Sequence, residues 1–426
     1  MSRASRNPSP TVMRSAGGAL AIVSFLHAAL GLEPVGAPDL LKPSAALPKV
    51  RDVRVLLGAS VTRVRVRADD TVTLSGGRII RHSDGLAADG VIIRQERGTI
   101  RGGDGLLLAS RETLRSSEGG AIRLSFDRDG QWSDEVAYPG LIHISVGEAG
   151  GLEIINELDI ERYVGCVTAN EVWPTFATEA FRVQAIVTRT FVLYHMSRRP
   201  NAPFDVSATQ GSQVYRGIRD DAVGRRAAEA AEYTRGIVCT WREQSEERLF
   251  CAYYSAACGG MSQSAALLGP DGDTEPLRGG VKCDYCKIAP GEAYRWGPVR
   301  LSADEVLSRL LERYPDLAAL EEIINITPVE QTPAGRLVSL RITGARGDSR
   351  EMLAERFRLA IGSTVVRSTD CRIRVVNKEV IFDNGRGYGH GLGLCQWGAQ
   401  GLALTGKKAA EILRFYYPGS NLTRAY

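Results

Sequence analysis

The most informative stretch of the sequence reads Gly385-Arg386-Gly387-Tyr388-Gly389-His390-Gly391-Leu392-Gly393 and continues Leu394-Cys395-Gln396-Trp397-Gly398-Ala399. Glycine occupies every second position of its first half. In an extended chain, one face would be bare backbone and the other would carry Arg386, Tyr388 and His390. A bare face permits close approach of a ligand or of another segment. The stretch therefore predicts either a binding surface or a glycine-rich turn with a structural histidine. A dinucleotide site is disfavoured because the spacing is not G-x-G-x-x-G.

Composition places the chain among ordinary globular proteins. It has 426 residues, of which 44% are hydrophobic and 24% charged, and this length predicts two or three domains. The 53 Lys and Arg residues nearly balance the 49 Asp and Glu residues, giving a net charge of +4. This balance argues against a protein that binds nucleic acid through basic charge.

The N-terminus has the pattern of an export signal. Arginines precede an apolar run over residues 16–32, which is typical of a secretory signal or of an uncleaved signal anchor. We therefore predict a signal peptide or anchor at 1–32, followed by a proline-rich linker at 33–49. In both cases the protein would be exported to the periplasm or cell envelope, either free or anchored to the membrane.

The rest of the chain predicts an α+β fold. Short alternating apolar runs separated by glycines indicate a β-rich domain over residues 50–150. Helical periodicity then appears at 159–171 and 178–196, with a break at Pro174. Strands return between 323 and 382, and the end of the chain is mostly helical. The second region, 151–426, is therefore mixed, with a central helix and a C-terminal helical segment.

Glu171 is the first candidate for chemistry. It lies at a predicted helix end in the stretch Asn170-Glu171-Val172-Trp173-Pro174. Apolar neighbours raise the pKa of a carboxyl group and suit it to act as a general acid. The alternative is an ordinary solvated glutamate at a helix terminus.

Cysteine spacing suggests a metal site. Cys283 and Cys286 form a C-x-x-C pair, and Cys251 and Cys258 lie upstream. This pattern is typical of structural zinc, with Cys251 as the expected fourth ligand. A disulfide is the main alternative in an exported protein, and free thiols are the third. The scattered cysteines are expected to be buried apolar residues: Cys166, Cys239, Cys371 and Cys395.

Taken in order, these stretches resemble the SpoIID/LytB family, which contains stage II sporulation protein D and amidase enhancers. The resemblance runs from about Arg51 to the C-terminus. It includes residues 170–174, where the family often has Glu-Met-Pro, and also 179–185, 213–217, 254–260 and 387–399.

The resemblance implies a lytic transglycosylase that cleaves peptidoglycan glycan strands and leaves 1,6-anhydro-N-acetylmuramic acid ends. It makes 151–426 the catalytic domain and Glu171 the general acid/base. The residues expected to bind the glycan are Arg386, Tyr388, His390, Gln396, Gln213 and Tyr215. The expected partners are glycan strands and a cell-wall amidase. Zinc at Cys258, Cys283, Cys286 and Cys251 would be structural, because the chemistry needs no cofactor.

Two other functions remain open at this point. The protein could be a non-catalytic amidase enhancer or wall-binding module, in which case Glu171 would not be needed for turnover. It could also be a zinc-dependent hydrolase that uses Cys258, Cys283 and Cys286, although three thiolates are an unusual ligand set for catalytic zinc.

Overall fold

The computed structural model describes residues 47, 51–74, 79–80, 90–103, 108, 110–128, 130–148, 150–208, 212–268 and 272–426. The predicted signal at 1–32 and the predicted linker at 33–49, apart from Leu47, lie outside the described residues. Within the part of the chain that the structure describes, no helix is both long enough and apolar enough to cross a membrane. The predicted α+β class is confirmed.

The N-terminal part is rich in strands, as the alternating apolar residues predict. Its strands are β1 (Val53–Val61), β2 (Arg63–Ala68), β3 (Val72–Leu74), β4 (Ile79–Ile80), β5 (Val91–Glu96), β6 (Thr99–Arg101), β7 (Arg111–Ser116), β8 (Ile122–Arg128), β9 (Gln131–Trp132), β10 (Val136–Tyr138), β11 (Leu141–Val146) and β12 (Leu152–Leu158). In β2, for example, Val64, Val66 and Ala68 are buried and the arginines between them are partly exposed. This period of two places one face of each strand in the core.

The sheets continue across the predicted domain boundary at residue 150. One sheet contains the order β1-β12-β11-β7-β3-β4, and a second runs β10-β8-β2-β5-β6 with β9 paired to β8. Strand β12 lies between β1 and β11 and pairs antiparallel with both. Because β12 ends one residue before the N-cap of the first helix, the sheet fixes where that helix begins.

The helical centre consists of α1 (Ile160–Glu171), α2 (Thr178–Arg198) and α3 (Ala222–Tyr233). The Asp159 carboxylate caps α1 by accepting hydrogen bonds from the backbone N–H groups of Glu161 and Arg162, which satisfies two orphan donors of the helix start. Helix α2 is buried around most of its circumference rather than along one predicted stripe. Strand β13 (Val206–Ser207) follows α2 and pairs in parallel with β1.

A buried ion pair joins α1 to α2. Arg189, which is fully buried, donates to both carboxylate oxygens of Glu161 at 2.9 and 2.5 Å. The hydroxyl of Tyr426 and the N–H of Gly236 also donate to that carboxylate. Removing one partner of such a pair typically lowers the free energy of unfolding by about 3–5 kcal/mol. The pair therefore fixes the helix that ends in Glu171 against the central helix.

An inserted module, residues 297–384, interrupts the C-terminal half. Before it come β14 (Ile237–Glu243), β15 (Glu246–Leu249), β16 (Tyr254–Ser255) and β17 (Arg295–Trp296). The module contains β18 (Val299–Ser302), α4 (Ala303–Leu311), β19 (Ile323–Gln331), β20 (Leu337–Gly344), β21 (Ser349–Leu353), α5 (Ala354–Ile361), β22 (Arg372–Val376) and β23 (Glu379–Asp383). It has its own apolar core. The chain leaves it through β24 (Gly385–Arg386), which pairs with β17.

The last segment is mainly helical, as predicted. It comprises β25 (Leu394–Cys395), α6 (Gln396–Leu404), α7 (Ala409–Tyr416) and β26 (Asn421–Arg424). Strand β26 pairs with β14, and β25 pairs in parallel with β16. Short 3-10 helices cover Ala265–Leu268, Glu275–Leu277, Tyr285–Ile288, Gly291–Ala293 and Pro315–Leu320. The β16–β25 pair joins the two segments that reach Glu171.

Candidate active site

Glu171 is the last residue of α1, as the sequence predicts. The helix ends because Val172 adopts an extended backbone with φ −99° and ψ 153°. The Glu171 side chain is half-buried, and its Oε1 accepts two hydrogen bonds of 2.8 Å, from the Val214 N–H and from the Tyr254 hydroxyl. One carboxylate oxygen is thus held in place by two donors from different segments.

Burial controls the protonation of Glu171. It raises the pKa of this carboxyl group above its ordinary value, although Val214, Tyr254 and Gln396 favour the ionised form through hydrogen bonds and Arg216 favours it through its positive charge. Burial disfavours the charged form because a carboxylate loses hydration there. Glu171 therefore keeps its proton to a higher pH than an exposed glutamate does, which is the property of a general acid.

Gln396 is the predicted site residue that the structure brings to Glu171. At the start of α6, its Nε2 donates to the backbone carbonyl of Glu171 at 3.2 Å and to Gln184 Oε1 at 3.1 Å. These bonds connect α6 to the C-terminal end of α1 and to α2. Gln396 therefore orients the residue that carries the acid.

Tyr254 is a functional candidate that the sequence analysis missed. Its hydroxyl contacts Glu171, but nothing in its local sequence distinguishes it from a tyrosine of the core. His390 lies beside this segment, with its ring against Tyr253 and its Nδ1 accepting from the Leu392 N–H. Burial lowers the pKa of His390 to about 4. The imidazole is therefore neutral near pH 7 and packs against the tyrosine segment, and a role of His390 in glycan binding stays a prediction.

The alternating glycines do not form an extended face, so that expectation was wrong. Gly387, Gly389, Gly391 and Gly393 all have positive φ, between 60° and 98°, where a side chain is disfavoured. A Cβ at Gly393 would lie 2.1 Å from the Tyr253 carbonyl oxygen, and one at Gly387 would lie 2.5 Å from that of Ala257. The bare backbone of Gly387, Gly389 and Gly393 is thus covered by residues 253–259, and that of Gly391 by the Arg336 guanidinium. A role of this stretch in glycan binding stays a prediction.

The other side chains of this segment have separate roles. The backbone of Tyr388 pairs with Ala257, and its half-buried ring lies 5.8 Å from the Arg367 guanidinium. Arg386 donates to Asp370 Oδ1 and to the Ala334 carbonyl, both at 3.0 Å. Its guanidinium is thereby bound to the inserted module. These contacts explain the two residues structurally, and a role in glycan binding stays a prediction.

Gln213 and Tyr215 lie behind the acid in the core. Gln213 is buried and its Oε1 accepts from the Tyr163 hydroxyl at 2.9 Å. Tyr215 is 2% exposed, donates to Asn156 Oδ1 at 2.5 Å and stacks on Tyr163. A glycan strand cannot reach such a buried ring. The prediction that Tyr215 contacts the substrate was therefore wrong, and Tyr215 is a core residue next to β12.

Four buried cysteines form a cluster that could hold a metal ion. Their Sγ atoms lie within 4.8 Å of one another, and the members are Cys258, Cys283, Cys286 and Cys395. The predicted fourth ligand, Cys251, was wrong: its Sγ lies 3.7 Å from His195 Nε2 instead. Cys395 was expected to be an isolated apolar residue. Its position in the glycine-rich stretch, next to Gln396, was the sequence signal that could have identified it.

The cluster fits a tetrahedral thiolate site. Zinc–sulfur bonds of about 2.3 Å place the sulfurs of a tetrahedron about 3.8 Å apart, and Cys258 Sγ lies 3.7 Å from Cys286 Sγ. All the cysteines among the described residues are free thiols. The N–H groups of Cys258 and Gly398 also donate to Cys395 Sγ, at 3.2 and 3.3 Å. Burial and the neighbouring cysteines raise the pKa of the Cys395 thiol, so its thiolate form would depend on a bound cation.

The cysteine cluster and the acid share two segments of the chain. In the β16–β25 pair, Tyr254 faces Leu394 and Ser255 faces Cys395. Cys258 follows the first of these strands, and Gln396 follows the second directly. A metal bound at the cluster would therefore join the segments that deliver Tyr254 and Gln396 to Glu171.

Comparisons with known proteins relate this chain to stage II sporulation proteins. The family described as stage II sporulation protein, SpoIID, matches residues 148–241, which contain β12, the helical centre and Glu171. The chain is 33% identical over 278 residues to an uncharacterized protein of Brachyspira hyodysenteriae, covering 63% of this chain and 68% of that protein.

Two relatives in Bacillus subtilis carry functional names. The chain is 26% identical over 284 residues to stage II sporulation protein D, covering 64% of this chain and 76% of that protein. It is 42% identical over 66 residues to an amidase enhancer, covering 16% of this chain and 9% of the enhancer.

Proposed function

Because this chain belongs to the SpoIID family, we propose that it is a cell-wall protein that cleaves peptidoglycan glycan strands as a lytic transglycosylase. The observation that carries this proposal is Glu171: a half-buried carboxyl group at a helix end, with a raised pKa and two donors on one oxygen. The names of the relatives support a cell-wall role, and the carboxyl group supports the chemistry.

The proposed reaction requires a single carboxyl group. Protonated Glu171 donates its proton to the glycosidic oxygen as the bond to C1 of N-acetylmuramic acid breaks. The resulting carboxylate accepts the proton of the C6 hydroxyl, and the C6 oxygen bonds to C1. The products are a 1,6-anhydro end and a free 4-hydroxyl on the neighbouring sugar. No water enters, because the nucleophile belongs to the same sugar ring and benefits from its proximity.

The surroundings of Glu171 suit both halves of this cycle. Burial favours the protonated form that is required at the start. The Tyr254 hydroxyl and the Val214 N–H favour the carboxylate that is present after the first proton transfer. Such fixed donors stabilise developing charge without reorganising.

We further propose that the cysteine cluster holds a structural zinc ion. Four thiolates would fill a tetrahedral zinc site and leave no position for water, which is the arrangement of structural rather than catalytic zinc. This closed ligand set also argues against the zinc-dependent hydrolase. The zinc would hold the β16 and β25 segments together beside the acid.

We also propose that the protein is exported to the cell envelope. Peptidoglycan lies outside the cytoplasm, in agreement with the predicted signal at 1–32. A partnership with a cell-wall amidase is suggested by the short, 42% identical match to an amidase enhancer. The same match favours the second candidate function, a non-catalytic enhancer that binds the wall.

The products released from purified glycan strands distinguish these functions. We expect the protein to release fragments with 1,6-anhydro ends from strands stripped of peptides, detected by mass spectrometry. Fragments with ordinary reducing ends would indicate a hydrolase and contradict the transglycosylase. Binding without any cleavage, of either peptide-free or peptide-bearing strands, would support the non-catalytic enhancer.

Removing the Tyr254 hydroxyl tests the role of Glu171 through the pH dependence of the reaction rate. Tyr254→Phe removes a donor that favours ionised Glu171, so the pKa of Glu171 should rise further. The rate falls where pH rises through this pKa, because the acid must be protonated. We expect the alkaline limb of kcat/KM to move to higher pH, while the maximal rate changes by less than about tenfold.

The matched control for this variant is Tyr314→Phe in the inserted module, which should leave the pH profile unchanged. An alkaline limb that stays at the same pH in Tyr254→Phe would mean that Glu171 does not set the profile.

A further inference from the structure

Trp173 is a large aromatic side chain exposed next to the acid. It follows Glu171 by two residues and is 51% exposed, whereas Val172 between them is buried. Burial of an aromatic ring is strongly favourable. The exposed half of this indole therefore leaves apolar surface open to solvent two residues after the residue that carries the reactive carboxyl group.

The Trp173 ring packs against the buried ring of Trp397. Its ring centroid lies 5.7 Å from that of Trp397, which is 7% exposed, and Phe176 meets Trp397 edge-on at 4.8 Å. Trp397 directly follows Gln396, which donates to the Glu171 carbonyl. The exposed ring is thus connected to the acid on two sides, through the turn after α1 and through the start of α6.

The turn that carries Trp173 is fixed by hydrogen bonds. Arg226 donates to the Pro174 carbonyl at 2.7 Å and also to the Phe176 carbonyl. The Phe176 N–H donates to the Trp173 carbonyl at 3.0 Å, and the Ala177 N–H donates to Gln400 Oε1 at 2.7 Å. A ring on such an ordered turn loses little freedom when it binds a ligand, so its position is preorganised.

We infer that Trp173 is a sugar-binding platform, whose exposed face stacks on an N-acetylhexosamine ring beside the bond to be cleaved. The inference rests on the proposed function, since it takes a glycan strand as the ligand. A β-1,4-linked hexosamine has equatorial substituents, so its ring faces present C–H groups. These apolar faces match a flat indole and need no charged partner.

Binding can be measured apart from cleavage in a Glu171→Gln background. The probes are a soluble β-1,4-linked hexamer of N-acetylglucosamine and purified peptide-free strands, and the methods are calorimetry and sedimentation, respectively. We expect Trp173→Ala to weaken binding by about tenfold and Trp173→Phe, which keeps a smaller ring, to weaken it less. Leu404→Ala, at an apolar residue of α6 that is 65% exposed, is the matched control and should bind like the parent.

Equal affinity in Trp173→Ala and the Leu404→Ala control would overturn the inference, as would failure of the parent to bind either probe. Melting temperatures of all variants identify a loss of folding, and Trp173→Phe provides the folded comparison if Trp173→Ala is unstable. A protein that binds through Trp173 but never forms anhydro ends would contradict the transglycosylase and leave the platform supported.

Discussion

Replacing Glu171 with Gln is expected to reduce the release of anhydro-muropeptides by at least about 100-fold, the usual contribution of a general acid or base. Gln has the same shape and can still accept hydrogen bonds from Val214 and Tyr254, but it has no proton to donate to the glycosidic oxygen. Because Glu171 is half-buried with a raised pKa, removal of its charge is not expected to destabilise the fold. The measurement is the initial rate of product release from purified strands.

Glu229→Gln is the matched control for this substitution. Glu229 is exposed on α3, so its variant should retain the parent rate. A folded Glu171→Gln protein that releases products at nearly the parent rate would show that another group supplies the proton. Strand binding should survive in the same variant, which separates a loss of chemistry from a loss of affinity.

Replacing Cys395 with Ser is expected to remove the metal and to lower stability strongly. The parent should contain about one equivalent of zinc, and Cys395→Ser less than about a tenth, because one thiolate of a closed site is lost. The melting temperature should fall by at least about 5 °C. Activity should decline only as far as the protein unfolds, since zinc would be structural.

Cys251→Ser is the control that the structure itself provides. Cys251 is also buried, so both variants introduce a buried hydroxyl, but Cys251 lies outside the cluster. We expect Cys251→Ser to retain its zinc. If Cys251→Ser lost its zinc while Cys395→Ser retained it, Cys251 would be the fourth ligand, as the sequence predicts. Parent protein without zinc and lacking two titratable thiols would instead indicate a disulfide.

Local sequence rules predict much of the fold. Asp159 marks the start of α1, and the apolar alternation in β2 marks an exposed and a buried face, because both signals depend on nearby residues. The same rules failed at α5, which lies within a stretch predicted to contain strands. Its residues, such as Phe357 and Ile361, face the core of the inserted module, and this tertiary packing is absent from the local pattern.

Local sequence signals likewise identify only some of the residues of the candidate site. A helix end, an apolar neighbourhood and a proline break within five residues made Glu171 a candidate, and the resemblance to the SpoIID/LytB family gave it the predicted role of the acid. Tyr254 and Cys395 reach the site through the parallel pairing of β16 with β25, across about 140 residues of sequence. Spacing favoured Cys251 because it is close in sequence to Cys258, whereas the ligand that completes the cluster comes from the far side of the inserted module.

The β17–β24 pair has a consequence for how this protein can change over evolution. Trp296 faces Gly385 across the pair, and opposite residues of antiparallel strands lie only about 5 Å apart. A two-residue turn could therefore replace everything between them, and the Cys283–Cys286 loop and the glycine-rich stretch would keep their ends in place. The Asp370–Arg386 ion pair and the contact of Arg336 with the Cys258 carbonyl would be lost. Exchange or deletion of this module would therefore leave in the chain all the residues that contact Glu171, because Val214, Tyr254 and Gln396 lie outside it.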